Sequence, residues 1–287
     1  MIPGPFAYHR PASLQDAVGL LSELGEDARP LAGGHSLIPM MKLRLASPAH
    51  LIDLAGIAGL KGIREDGGEI VIGATTTQQE LVTSDLVAGK LPILRETSLT
   101  IADPQVRYLG TLGGNVANGD PGNDMPAVML ALDATYEIAG KSGTRRLAAR
   151  AFYQSAYVTA LAPGEILTAV RIKVPPAGHG YAYEKLKRKV GDYATAAAAV
   201  VLTIGGGKVA SCAIGLTNLA ETPLYAEEAS RILAGSALDD ATVRKAVAAA
   251  EAITAPASDG RGPAHYRTKM AGVMLARALA RAKARAA

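Results

Sequence analysis

Two separated segments of the chain place a glycine pair beside hydrogen-bonding side chains and ahead of an apolar, helix-like run. They are Ala32-Gly33-Gly34-His35-Ser36 and Thr111-Leu112-Gly113-Gly114-Asn115. Glycine permits positive φ angles and leaves no Cβ between the backbone and a ligand. Successive N–H groups in such a turn, followed by a helix N-terminus, can converge on an anion. The two segments together predict a split site for a large ligand that carries at least a diphosphate.

The chain lacks the sequence patterns of single-loop nucleotide sites. A Rossmann site would place G-x-G-x-x-G between a strand and a helix. The nearest match, GGGKVA at 205–210, joins two β-like runs and indicates a hairpin turn. No G-x-x-x-x-G-K-[ST] loop occurs, which excludes the P-loop hydrolases. A nucleotide is therefore compatible only with a site divided between two loops.

The candidate residues also have purely structural interpretations. A single Gly-Gly pair is more often a turn than a ligand site. His35 could cap the helix that follows it. Asp120, Asn123 and Asp124 could simply build an Asx-rich turn.

Polar and aromatic residues in the C-terminal part of the chain also have purely structural interpretations. The segment EKLKRK at 184–189 could be an edge strand with solvated lysines. Tyr193 could be a core aromatic. Arg277, Arg281 and Arg285 recur at four-residue spacing and favour a solvent-facing stripe on the last helix, open to an acidic partner.

Composition narrows the function classes. The 287 residues are 49% hydrophobic and 20% charged, with a net charge of +4, and are typical of a globular protein. The scattered Lys and Arg residues do not favour nucleic-acid binding. No apolar run reaches membrane-spanning length, since the segment 194–204 stops at eleven residues. We therefore expect a cytoplasmic protein without a transmembrane segment.

Cysteine and histidine usage argues against metal chemistry within this chain. Cys212 is the single cysteine, whereas an iron–sulfur cluster needs about four thiolates. The five histidines show no metal-ligand spacing. We also find no residue pair that resembles a dedicated nucleophile or an acid–base dyad.

Periodicity and turn signals predict an α+β fold. Helices are expected near 14–24, 77–85, 92–102 and 125–132, with hairpins at 60–74 and 134–149. A strand at 165–176 ends in two prolines, which predicts a domain boundary near 177. Three antiparallel strands and then helices near 223–234, 239–253 and 263–284 follow. Strands followed by helices favour α+β architecture over repeated βαβ units.

Three motifs, in order along the chain, resemble the flavin-binding subunits of the molybdenum hydroxylases, the xanthine dehydrogenase family. They are PLAGGHSL, GTLGGNVANGDPGNDMPAVMLAL and APASDGRGPAHYRTKMAGVML. Within that family, GHGYAYEKLKRKVGDYATAAAAVVLT at 178–203 is most similar to the aerobic carbon monoxide dehydrogenase branch. The resemblance covers nearly the whole chain.

The resemblance implies a domain plan and a cofactor. An N-terminal FAD-binding domain of the PCMH type, residues 1–177, would have subdomains of about 1–55 and 56–177. Residues 178–287 would form a C-terminal domain with a three-stranded antiparallel sheet and helices. FAD would be bound non-covalently between the N-terminal subdomains.

The resemblance also implies roles for individual residues. The FAD diphosphate and its neighbourhood would contact Ala32, Gly33, Gly34, His35, Ser36, Thr111, Leu112, Gly113, Gly114 and Asn115. Asp124 would hold the adenosine side or a nearby polar group, while Lys185 and Tyr193 would lie near the flavin ring.

The partners implied by the resemblance hold the remaining cofactors. A large subunit would carry the molybdenum cofactor and a small subunit two [2Fe–2S] clusters, in a dimer of heterotrimers. This chain would pass electrons through FAD to a quinone-type acceptor, which leaves association with the inner face of the membrane open. The flavin subunit of another molybdenum hydroxylase and a stand-alone FAD oxidoreductase are the alternatives.

Overall fold

A computed structural model describes residues 2–286, and its N-terminal part begins with a small parallel sheet. The elements are β1 (Ala7–His9), α1 (Leu14–Leu24), β2 (Ala28–Leu31), α2 (Leu37–Lys42) and β3 (His50–Asp53). The strand order is β1-β3-β2, and both pairs are parallel. The hydroxyl of Ser13 caps α1 by accepting from the Asp16 N–H at 3.1 Å. Strand β2 ends at Leu31, directly before the segment that carries the first glycine pair.

The N-terminal part also contains a second, antiparallel sheet. Its strands are β4 (Ile63–Asp66), β5 (Glu69–Gly73), β6 (Thr135–Gly140), β7 (Gly143–Ala148) and β10 (Ile166–Lys173). The order β4-β5-β10-β6-β7 places β10 in the centre. A separate two-stranded ribbon consists of β8 (Tyr153–Ser155) and β9 (Val158–Thr159). Both hairpins expected from the sequence, at 60–74 and 134–149, are present in this sheet.

Six helices lie between β5 and β6. They are α3 (Gln78–Thr83), α4 (Asp85–Lys90), α5 (Pro92–Thr100), α6 (Pro104–Leu109), α7 (Leu112–Ala117) and α8 (Asp124–Ala131). Thr77 and Glu80 form a capping box at the start of α3. All eight residues of α8 are buried, which explains why this helix has no polar face. Helices α4, α6 and α7, each only six residues long, were not predicted from the sequence.

The C-terminal part is a sheet covered by helices. Its elements are β11 (Gly180–Leu186), β12 (Ala196–Gly205), β13 (Lys208–Thr217), β14 (Leu224–Tyr225), α9 (Glu227–Leu233), α10 (Asp240–Ala252) and α11 (Ala264–Arg285). The three predicted long strands are antiparallel, and the unpredicted two-residue β14 adds a fourth at the edge. A Cβ on Gly215 would lie 2.0 Å from the carbonyl oxygen of Ala127, so β13 rests directly on α8.

Charged side chains join the two parts of the chain. Glu96 on α5 pairs with Arg281 at 3.0 Å and with Arg285 at 2.8 Å, both on α11. Arg281 also pairs with Glu184 on β11. Arg281 is solvent-exposed, as expected for the arginine stripe, and the acidic partner left open for the stripe lies, for Arg281 and Arg285, within this same chain. Among the described residues, no helix has the length and apolar character needed to cross a bilayer.

Candidate functional site

One cleft of about 470 Å³ brings together the segments predicted from the sequence. Its size is within the range of cofactor sites. The first glycine segment, the start of α7, the end of β11 and the loop after β11 all line it. The predicted residues found in its lining are Ala32, Gly33, Gly34, His35, Ser36, Thr111, Gly113, Gly114, Asn115, Asp124, Lys185 and Tyr193. Leu112 is the exception, because its side chain is fully buried in the hydrophobic core beneath.

The two glycine segments touch each other at this cleft. A Cβ on Gly33 would lie 2.2 Å from the carbonyl oxygen of Leu109 and 2.8 Å from the Cα of Gly110. Gly34 adopts a φ of +71°, in the left-handed region that favours glycine. Gly33 is therefore needed for contact between the segments, and Gly34 for the turn itself.

The first glycine segment keeps its backbone donors free. Within residues 2–286, the N–H groups from Gly33 to Leu37 make no hydrogen bond. The carbonyl oxygen of Gly34 accepts from the Ile38 N–H at 3.0 Å and begins α2. The Nδ1 of His35 donates to the carbonyl of Gly33 at 2.7 Å, and the hydroxyl of Ser36 makes no capping bond. The segment thus offers five consecutive amides and one hydroxyl to an acceptor in the cleft.

The second glycine segment uses its backbone donors internally. The amide of Leu112 donates to Thr76 at 2.9 Å, and that of Gly113 to Ala74 at 2.9 Å. Gly114 N–H donates to the hydroxyl of Thr111 at 3.0 Å, as in a capped helix N-terminus. Asn115 N–H also donates within α7. The prediction of a second turn with free amides was therefore wrong, because two of these amides donate to carbonyls of Thr76 and Ala74 and the other two donate to Thr111.

Two asparagine side chains of α7 and its C-terminal end, Asn115 and Asn118, line the cleft. Asn115 uses its Oδ1 to accept from the Met125 N–H at 3.3 Å. Asn118, three residues later on the same helical face, also lines the cleft, and its buried Nδ2 finds no partner within the described chain. A buried donor without a partner is costly, so it favours a ligand acceptor at this position. Asn118 was not among the site residues predicted from the sequence, although its spacing from Asn115 could have indicated it.

A buried ion pair lies between α8 and β11. The Nζ of Lys185 donates to the Oδ2 of Asp124 at 2.7 Å, and both side chains are almost fully buried. The hydroxyl of Tyr183 donates to the Oδ1 of Asp124 at 2.5 Å. Both carboxylate oxygens are thus engaged within the protein. Strand β11 is an edge strand, as the alternative for 184–189 held, and Lys189 is exposed, but the side chain of Lys185 is buried and not solvated.

Lys185 retains unused hydrogen-bonding capacity. An ammonium group has three N–H donors, and the described residues give this one a single acceptor. Nearby, Lys187 donates to the carbonyl of Thr100 at 3.1 Å. Burial, together with the like charge of Lys185, lowers the pKa of Lys187. The free N–H groups of Lys185 can therefore donate to an electron-rich or anionic ligand group at this end of the cleft.

Tyr193 presents part of its ring to the cleft. The side chain packs against Gly122, where a Cβ would lie 2.7 Å from the ring carbon Cδ1, and 40% of the residue is exposed. Burial and the neighbouring carboxylate of Asp120 raise the pKa of the Tyr193 hydroxyl, so this group stays neutral. A neutral aromatic face at the cleft is suited to stacking on a planar ring.

Comparison with protein families divides the chain into two matched ranges. Residues 4–175 match the family described as the FAD-binding domain in molybdopterin dehydrogenase. Residues 181–282 match the CO dehydrogenase flavoprotein C-terminal domain.

The relatives are similar along their whole length. The chain is 71% identical to the carbon monoxide dehydrogenase medium chain of Afipia carboxidovorans, covering 100% of this chain and 99% of that protein. It is 49% identical to the corresponding chain of Hydrogenophaga pseudoflava, covering 100% of both. A crystal structure of the Cu,Mo-CO dehydrogenase in its cyanide-inactivated form matches with a TM-score of 0.99 at 71% identity, again over 100% of both chains.

Proposed function

The chain belongs to the family of FAD-binding subunits of molybdopterin dehydrogenases, and we propose that it is the FAD-carrying electron-transfer subunit of an aerobic carbon monoxide dehydrogenase. The overall reaction of the enzyme would be CO + H2O → CO2 + 2 H⁺ + 2 e⁻. Identity of 71% over the full length supports the choice of substrate. The row of free amides from Gly33 to Leu37, in one cleft with Lys185, is the structural observation that carries FAD binding.

The donors in the cleft fit the acceptors that FAD offers. We assign the diphosphate to the amides of Gly33, Gly34, His35 and Ser36, since consecutive free N–H groups bind phosphate oxygens well. Ala32 continues this segment along the cleft wall.

The second segment would mainly support the first one and contact the cofactor through its side chains. Gly113 lets the start of α7 pack against Ala74, Gly114 faces Ala32 of the first segment, and Thr111 caps the helix. Asn115 and the unpartnered Nδ2 of Asn118 would meet polar atoms of the cofactor.

At the other end of the cleft, Lys185 and Tyr193 would lie near the flavin ring. Lys185 would donate its unused N–H groups to ring acceptors, and Tyr193 would pack against the ring face. Asp124 would act through Lys185, because both of its oxygens are already engaged. When bound, FAD supplies a carrier that accepts two electrons and passes them on singly or as a pair.

Other subunits would hold the remaining redox centres. With Cys212 as its single cysteine, the chain cannot ligate an iron–sulfur cluster by itself. We propose a large molybdenum subunit and a small subunit with two [2Fe–2S] clusters, assembled as a dimer of heterotrimers. Electrons would leave through FAD to a quinone-type acceptor. The proposed location is cytoplasmic, where that acceptor would bring the enzyme to the inner face of the membrane.

Co-expression with the large and small subunits tests the proposal. The purified complex should contain one FAD per copy of this chain, with an absorbance band at about 450 nm that bleaches when CO is added without an acceptor. A complex that lacks flavin, or a flavin that CO does not reduce while the iron–sulfur centres are reduced, would contradict it.

The alternatives give different outcomes in the same preparation. Reduction by a purine, an aldehyde or nicotinate, but not by CO, would identify the flavin subunit of another molybdenum hydroxylase. Turnover by the isolated chain with FAD and substrate would identify a stand-alone oxidoreductase.

A further inference from the structure

We propose that Tyr183 is a positioning residue that, through Asp124, fixes the ammonium of Lys185 at the cleft. The inference rests on the proposed function, because it concerns how this chain presents a cation to bound FAD. Tyr183 does not line the cleft. Buried hydrogen bonds connect it through Asp124 to Lys185, which lines the cleft.

Tyr183 is one of the residues through which the C-terminal sheet packs into the core of the N-terminal part. It lies on β11, yet its side chain is 2% exposed and packs in the cluster that contains Met125 and Met129 of α8. Its backbone N–H donates to the Oε1 of Glu96 on α5 at 2.7 Å. The residue is thus fixed by α5 through its backbone and by α8 through its ring.

The hydroxyl of Tyr183 has a defined direction. It donates to Asp124 at 2.5 Å and lies 3.2 Å from the hydroxyl of Thr217, which is also fully buried. Because a tyrosine hydroxyl has one hydrogen and a carboxylate can only accept, Thr217 must donate to the tyrosine oxygen. Burial, followed by the charge of Asp124, raises the pKa of Tyr183 well above its ordinary value and keeps this hydrogen in place.

The position of Lys185 follows from this arrangement. Side chains two residues apart on a strand point to the same side, so Lys185 follows Tyr183 along β11 toward α8. Tyr183 occupies one oxygen of Asp124, which leaves the other, Oδ2, for the Lys185 ammonium at 2.7 Å. Without the hydroxyl, the carboxylate could rotate and accept two bonds from Lys185, which would turn its remaining N–H groups away from the cleft.

The test compares Tyr183→Phe with Tyr181→Phe in the co-expressed complex. Tyr181 lies on the same strand, and its hydroxyl makes no hydrogen bond within the described residues, so it controls for the loss of a tyrosine hydroxyl. We expect Tyr183→Phe to weaken FAD binding by about threefold and to make the flavin midpoint potential more negative, since a cation near the ring favours reduction. Tyr181→Phe should change neither.

A double-mutant cycle separates positioning from a general effect on packing. If Tyr183 acts through Lys185, the variant Tyr183→Phe/Lys185→Met should match Lys185→Met alone in midpoint potential and FAD affinity. Additive effects of the two substitutions would overturn the inference. If the unmodified complex holds no FAD, the proposed function fails instead, so the two failures are distinguishable.

Discussion

The two glycine segments have similar sequences but opposite hydrogen-bonding states. From Gly33 to Leu37 the backbone amides are free among the described residues, whereas from Leu112 to Asn115 all four donate within the protein. The first segment makes a left-handed turn at Gly34, whereas the second enters α7 at once and donates its first two amides to the carbonyls of Thr76 and Ala74. The two similar motifs therefore have different roles: the first segment is the anion-binding loop, and the second supports it.

Gly33→Ala should have the largest effect, because it separates the two segments. The added methyl would overlap the carbonyl of Leu109 at 2.2 Å, and overpacking of this kind costs about 1–3 kcal/mol. We expect the FAD content of the complex to fall by about tenfold or more, measured by absorbance after gel filtration.

Gly19→Ala is the control for this substitution. Gly19 lies within α1 with no atom near its Cβ position, so alanine there should stabilise the helix by about 0.5–1 kcal/mol and leave FAD in place. Full FAD occupancy in Gly33→Ala would show that contact between the segments is not needed.

Gly34→Ala should have the next largest effect, because the turn requires its φ of +71°. Alanine in the left-handed region costs about 1–2 kcal/mol. Gly67→Ala, at φ +59° with open space around it in the β4–β5 hairpin, imposes similar strain away from the cleft. Both variants should lose similar unfolding free energy in denaturant titrations, but only Gly34→Ala should weaken FAD binding. Equal FAD affinities would contradict a specific role for the first turn.

Thr111→Val tests the supporting role of the second segment. It removes the hydroxyl that accepts from Gly114 N–H at 3.0 Å, and loss of a helix cap costs about 1 kcal/mol. Thr111→Ser keeps the acceptor and should retain stability. A Val variant with unchanged unfolding free energy but no FAD would mean that Thr111 acts on the ligand and not on α7.

Ser36→Ala should have the smallest effect on stability, because this hydroxyl makes no capping bond. We expect the unfolding free energy to stay within about 0.5 kcal/mol of the unmodified protein. The affinity for FAD, measured by fluorescence titration of the deflavinated complex, should fall by about threefold, as for the loss of one neutral hydrogen bond. No change in affinity would remove Ser36 from the site.

Much of the fold was predictable because long elements carry strong periodicity and clear ends. Helix α1, with Ser13 before it and Gly25 after it, and the hairpin at Asp66-Gly67-Gly68 are examples. The six-residue helices α4, α6 and α7 were not predictable. Helix α7, for example, contains two glycines and is held by hydrogen bonds to Ala74 and Thr76, which are remote in sequence. Tertiary packing, and not local propensity, makes it a helix.

The sequence could predict which residues lie in the candidate site, but not how they bond to one another. Glycine pairs and their polar neighbours identified the cleft, but two of its features depend on distant partners. Asp124 is occupied by Tyr183 and Lys185 from β11, which no spacing reveals. The free Nδ2 of Asn118 is visible only once its surroundings are known. The arginines of α11 likewise meet Glu96, which is remote in sequence.

The division between the segments is tested most directly by amide hydrogen exchange of the complex with and without FAD. Peptides that span 33–37 should exchange quickly when FAD is removed and become protected when it is restored. Peptides that span 112–115 should be protected in both states, because their amides already have protein partners. Equal gains of protection in both segments, or a gain only in 112–115, would contradict the account.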